Sequence, residues 1–182
     1  MSSSLSLISN GCWTLVTSSE QTTNIGARQG DLACFEVNGN VLAIDVLQIR
    51  EIVRWREVTL LPQAPALIEG VIDMRERVIP VVDLGRALGG AAIERTARAR
   101  IVVLEVDGLV LGLRVGAAID VLSLETQTVE PPPQLAMQAG YDAIRAVVRR
   151  PGASPVLVLS LDHLLENIYR SALPAPAVGS AA

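Results

Sequence analysis

Two stretches of this chain, FEVNGNVLAIDVLQIREIV (Phe35–Val53) and LEVDGLVLGLRVGAAIDVL (Leu104–Leu122), align without a gap at an offset of 69 residues. Val37-Asn38-Gly39 lies over Val106-Asp107-Gly108, Val41-Leu42-Ala43-Ile44 over Val110-Leu111-Gly112-Leu113, and Glu51-Ile52-Val53 over Asp120-Val121-Leu122. Asn-Gly and Asp-Gly supply the positive φ angles of a two-residue hairpin turn, and apolar runs flank both. Each copy therefore predicts a β-hairpin followed by a short β-like segment that carries an acid at the matching place.

A second repeat follows at an offset of 77: Ile79-Pro80-Val81-Val82-Asp83-Leu84 resembles Val156-Leu157-Val158-Leu159-Ser160-Leu161. Each reads as an apolar strand, then Asp or Ser as an N-cap, then a short helix with leucines on one face. The offset grows because the second half carries the longer loop ETQTVEPPPQLAMQAG, which Pro131 to Pro133 make stiff and non-helical. Short strands with frequent turn signals predict small barrels rather than a parallel sheet. A barrel of about 60 residues has a marginal core, so two packed side by side bury a further face. They also leave a groove between them for a partner.

Composition agrees. Of 182 residues, 50% are hydrophobic, 19% charged and 3% aromatic, so Val, Leu, Ile and Ala fill the core. A net charge of −4 argues against a nucleic-acid surface. All 15 basic residues are arginine, scattered except for Arg95, Arg98 and Arg100, which read as a solvated connector. Cys12 and Cys34 make no disulfide scaffold, which fits a reduced, cytoplasmic compartment. No run of about 18 uninterrupted apolar residues predicts a membrane span, and the N-terminus is a poor signal peptide. Residues 1–30 read as a mostly flexible polar leader with one sustained period, Cys12 to Val16. Residues 31–171 hold the structured domain, and 172–182 an Ala/Pro tail.

Catalytic chemistry is hard to assemble from these residues. The single histidine, His163, reads as a surface residue, and with two distant cysteines it cannot build a usual zinc site. There is no Gly-x-Ser-x-Gly elbow and no phosphate loop with lysine. A duplicated β-barrel hydrolase would need one acid per half. Asp83 could supply one, but its counterpart is Ser160. No cofactor is expected.

IDVLQIREIV (44–53), VTLLPQAPALIEGVIDMRERVIPVVDL (58–84) and VDGLVLGLRVGAAIDVLSL (106–124) resemble CheW, the adaptor family of bacterial chemotaxis arrays. The resemblance implies a mainly β fold of two five-stranded SH3-like barrels with a helix near the C-terminus, though the halves of the repeat need not coincide with the barrels. It implies a non-catalytic scaffold that bridges the cytoplasmic tip of a methyl-accepting chemoreceptor to the regulatory domain of a CheA-type histidine kinase. Carried over by position, the kinase-facing surface falls on Ile49, Glu51 and Gly70, and the coupling arginine on Arg75. Val41, Leu42 and Ile44 are expected to line the receptor groove. Where the family reads Asn-Leu-Arg-Gly, this chain has Asp73-Met74-Arg75-Glu76, and Arg54-Trp55-Arg56 makes a bulky basic rim. These departures point to a specialised pathway such as surface sensing, pili or gliding. The alternative within the family is a regulator that binds the kinase without coupling a receptor.

Overall fold

A computed structural model describes residues 4–8, 12–16, 22–26, 30–133 and 143–172. The first hairpin pairs β4 (Asp31–Val37) with β5 (Asn40–Asp45), and the second pairs β9 (Arg100–Val106) with β10 (Leu109–Val115). Both turns have the positive backbone angles their dipeptides predict: Asn38 and Asp107 at φ 49°, Gly39 and Gly108 at φ 81°. After each hairpin comes the repeat's third strand, β6 (Ile49–Arg54) or β11 (Ala117–Ser123). A further antiparallel pair then closes each half. In the first half it is β7 (Ile68–Met74) with β8 (Arg77–Asp83), leading into the short helix α1 (Leu84–Ala87). In the second it is β13 (Ile144–Arg149) with β14 (Val156–Leu159), leading into α2 (Leu161–Ala172).

The hairpins are exchanged between the halves. One sheet runs β11-β4-β5-β14-β13, extended by β12 (Thr128–Glu130). The other runs β6-β9-β10-β8-β7. The first half's hairpin thus lies among the second half's closing strands, and the reverse. The mainly β architecture of two barrels holds, but each barrel draws on both halves of the repeat.

The two barrels obey one set of registers. Ile49 pairs with Leu104 and Glu51 with Val103 across a bulge; 69 residues on, Ala118 pairs with Phe35 and Asp120 with Cys34 across another. Val81 lies parallel to Gly112, and Val158 to Ala43. Bulges also fall at the same place in the closing pairs, between Ile68 and Gly70 and between Ile144 and Ala146.

Three apolar cores follow. Leu32, Cys34, Ala43, Val148, Val156 and Val158 fill the first barrel. Val53, Val58, Ile72, Ile79, Val81, Ile101 and Val103 fill the second. The largest core lies between them and joins Phe35, Leu42 and Ile44 to Val102, Leu113 and Leu164. Alternate residues of β4 point to different cores, Leu32 and Cys34 into the barrel, Ala33 and Phe35 into the shared layer. A strand buried on both faces needs a continuous apolar run, as the sequence has here.

Within residues 1–30, read as a leader, lie three strands: β1 (Ser4–Ile8), β2 (Cys12–Val16) and β3 (Thr22–Gly26). They form an antiparallel meander, and β1 continues the second sheet by pairing Leu5 with Ile52 and Ser6 with Glu51. SLSLI alternates polar and apolar residues, a two-residue period that competes with the segment's polar composition. The tail after residue 172 lies outside the described residues. The connector to β9 is exposed from residue 94 to 98, as its arginines imply, and two of those arginines make specific contacts. Arg95 stacks over Trp55 at 5.5 Å from the ring centroid, and Arg100 donates to the carbonyls of Ala97, Arg98 and Ala99.

Candidate functional site

The tip of the β7–β8 hairpin is a two-residue turn in which Arg75 (φ 50°) and Glu76 (φ 66°) both take positive φ. It carries Arg75 beside β6, where Arg75 Nη2 lies 3.4 Å from Glu51 Oε2. Arg75 remains 77% exposed. The two flank a depression of about 370 Å³ with a polar rim of Arg50, Glu51, Arg75 and Arg77. Its apolar floor is Met74, Ile79, Val103 and Val110, the edge of the second barrel's core. Arg50 is itself paired to Glu105 at 3.0 Å. An apolar floor ringed by charges is suited to docking another protein's strand or loop, with the charges setting which one.

Of the residues expected on the kinase-facing surface, Glu51 reaches that rim, where it meets Arg75, the arginine expected to couple receptor and kinase. Ile49 does not join them; it is 2% exposed and packs in the shared core. Gly70 is buried, and a Cβ there would overlap the Thr59 carbonyl. That carbonyl accepts from Val71 N while Thr59 N donates to Val71 O, both at 2.8 Å, so Gly70 permits a bridge across the strand's open side. The groove-lining expected of Val41, Leu42 and Ile44 does not fit their burial: Leu42 and Ile44 are core residues, and Val41 packs against the first barrel's interior. β5 is an inner strand of its sheet and presents both faces to apolar layers.

A second depression, of about 470 Å³, was not anticipated from the sequence. It lies where the β9–β10 hairpin meets α2, and Val106, Asp107, Leu109, Asp162, Leu165, Glu166 and Tyr169 line it. The signal was present, because residues 162, 165, 166 and 169 share one helix face. Tyr169, 55% exposed, is a large aromatic on that face.

The remaining chemistry is structural. Asp83 is fully buried; it accepts from Arg86 N and Ile93 N, each at 3.0 Å, and pairs with Arg114. It therefore caps α1 and anchors the following loop rather than offering an acid to a substrate. Arg114 Nε also lies 2.8 Å from Glu69 Oε2, an ion contact off the line of a hydrogen bond. Burial, opposed by Arg114, pushes the Glu69 carboxyl above its usual range. His163 Nδ1 shares a hydrogen bond of 3.0 Å with Ser160 Oγ at the exposed start of α2. Burial pushes the Cys34 thiol up to about 11. Among the described residues no three His, Cys, Asp or Glu side chains cluster to hold a metal, and no helix is long and apolar enough to cross a membrane.

Two exchanged barrels thus carry a charged hairpin tip beside an apolar floor, a surface suited to binding another protein, while the buried acids Asp83 and Glu69 are engaged in a cap and ion pairs. Known proteins agree. The CheW-like domain profile matches residues 31–168. The chain is 34% identical over 142 residues to "Chemotaxis protein CheW" of Rhizobium meliloti, covering 78% of this chain and 91% of that one. Protein FrzA of Myxococcus xanthus is 27% identical over 141 residues, covering 77% and 88% respectively. The crystal structure of the scaffolding protein TtCheW from Thermoanaerobacter tengcongensis superposes with a TM-score of 0.67 at 25% identity, over 76% of this chain and 94% of that one. The chain belongs to the CheW-like domain family, the non-catalytic scaffold adaptors of chemotaxis-type signalling.

Proposed function

We propose that this protein couples methyl-accepting chemoreceptors to a CheA-type histidine kinase, and that the Glu51–Arg75 rim is its kinase-facing contact. The observation that carries the reading is the apposition of these two residues, from distant strands, over an apolar floor. Ile49 and Gly70 then act from beneath, by packing β6 and by letting the 59–71 bridge form. The receptor-binding groove moves from Val41, Leu42 and Ile44 to the depression between the β9–β10 hairpin and α2, with Leu109, Leu165 and Tyr169 as its apolar anchors. Action at a receptor's cytoplasmic tip places the protein in the cytoplasm. Glu76 and Trp55, where the chain departs from the family pattern, support service in a pathway other than the main flagellar one.

Calorimetric titration against the regulatory domain of each CheA-type kinase of the same organism tests this. Arg75→Ala and Glu51→Lys should each weaken binding by about 2 kcal/mol, roughly 30-fold. Tyr169→Ala should leave kinase affinity intact and reduce co-sedimentation with receptor. Unchanged kinase affinity in both rim variants would place the contact elsewhere. Kinase binding by a wild-type protein that never co-sediments with receptor would favour the regulator that does not couple one.

A further inference from the structure

Because the halves are near-copies, each hairpin has two possible homes. In the observed fold β4–β5 lies with β11, β13 and β14 from the other half, and β9–β10 with β6, β7 and β8. The unexchanged alternative would pair β5 with β8 and β10 with β14. It would use contiguous segments and close shorter loops, which favours it entropically. Apolar packing discriminates in part, since Ala33, Phe35 and Ala43 stand where the other hairpin has Val102, Leu104 and Gly112, but volume mismatches of this kind can be relieved by repacking.

Charge does discriminate. Asp45 and Arg114 occupy equivalent places, 69 residues apart at the ends of β5 and β10. Their partners are equivalent too, because Arg145 and Glu69 are the bulged residues of β13 and β7. The polarity is reversed between the barrels. The first has Asp45 with Arg145 at 4.0 Å; the second has Arg114 with Glu69 at 2.8 Å, and with Asp83. The Glu69, Asp83 and Arg114 side chains are 5%, 0% and 2% exposed. In the unexchanged fold Asp45 would face the two buried acids, and Arg114 would face Arg145. Like charges brought together out of water are strongly disfavoured, more so than the loss of a half-exposed pair.

We infer that these reversed ion pairs select the exchanged pairing of the two halves, acting as a polarity code against the self-contained barrels and against the same misexchange between copies of the chain. The Asp45–Arg145 contact is long, with side chains 25% and 47% exposed, so local stabilisation gives a weak account of it. Asp45 also caps the turn Val46–Gln48 by accepting from Leu47 N, which explains an acid there; discrimination accounts for the arginine set against it at 145.

The full-length chain carrying Asp45→Arg with Arg145→Glu is compared with the neutral control Asp45→Ala with Arg145→Ala. Both lose the bond from Leu47 N to Asp45 Oδ1, 2.9 Å in the wild type, so that loss cancels. The charge swap keeps the local pair complementary, yet gives both barrels one polarity and makes the wrong pairings complementary as well. Each protein is refolded from urea at fixed concentration, with the monomer fraction read by size exclusion and the kinetics by circular dichroism. The code predicts that the swap refolds worst, with several-fold less monomer than the neutral control and an added slow phase. A swap that refolds as well as the neutral control, or better, would overturn it, because a purely local ion pair predicts that order.

Discussion

Glu76 stands where the β4–β5 and β9–β10 hairpins have glycine. Its φ of 66° falls in the left-handed region, as do those of Gly39 and Gly108 at 81°, but it carries a Cβ. A side chain there costs about 1–2 kcal/mol, of which a glycine's greater freedom in the unfolded chain returns part. Glu76→Gly should therefore raise unfolding stability by about 1 kcal/mol in urea titrations. The Arg75–Glu51 contact should survive the change, since Glu76 takes no part in it. A second single-residue test concerns Cys34, 2% exposed, with its thiol raised from 9.0 to about 11. The raised value lowers the thiolate fraction at pH 8 by about 100-fold relative to an unfolded thiol. In a Cys12→Ser background the folded protein should resist iodoacetamide at that pH and react fully in urea. Rapid labelling without denaturant would show that the first barrel opens locally.

At the scale of elements, the β6–β7 region depends on one glycine. Gly70→Ala would drive a methyl into the Thr59 carbonyl and force apart a bridge held by two 2.8 Å hydrogen bonds. A destabilisation of about 1–3 kcal/mol is expected, read as a lower melting temperature. Kinase affinity at a temperature where the variant is folded should fall only as far as the displaced hairpin tip disturbs Arg75. The same elements mark what could be read from the sequence. Asn38-Gly39 and Asp107-Gly108 announced their hairpins because a primed turn accepts few other dipeptides. Asp83 announced α1 as an N-cap. Which way Ile49, Leu42 or Ile44 pointed was hidden, because strands covered on both faces lose the alternation that separates inside from outside. The Glu51–Arg75 contact was foreseeable only as two members of a resemblance. What joins them is the curl of the β6-β9-β10-β8-β7 sheet, which brings β6 to the β7–β8 tip and which no local pattern encodes.

For the whole molecule, the repeat suggested two units, and the structure interlocks them. The largest core draws Phe35, Leu42 and Ile44 from one half and Val102, Leu113 and Leu164 from the other. A half alone keeps its hairpin but loses every strand that hairpin pairs with, leaving two unpaired edges and an uncovered apolar layer. It could recover partners only by taking the unexchanged arrangement, where Asp45 would meet Glu69 and Asp83. Separate fragments 1–97 and 98–182, cut in the exposed connector before β9, should therefore each give disordered or aggregated material by circular dichroism and size exclusion. Refolded together at equal concentration they should yield one species of the intact protein's size, with an unfolding midpoint that rises with concentration, as mass action requires of a two-part fold. If fragment 1–97 folded cooperatively as a monomer, a self-contained barrel would be accessible to this sequence, and the interlocked core could not be what makes the domain stable.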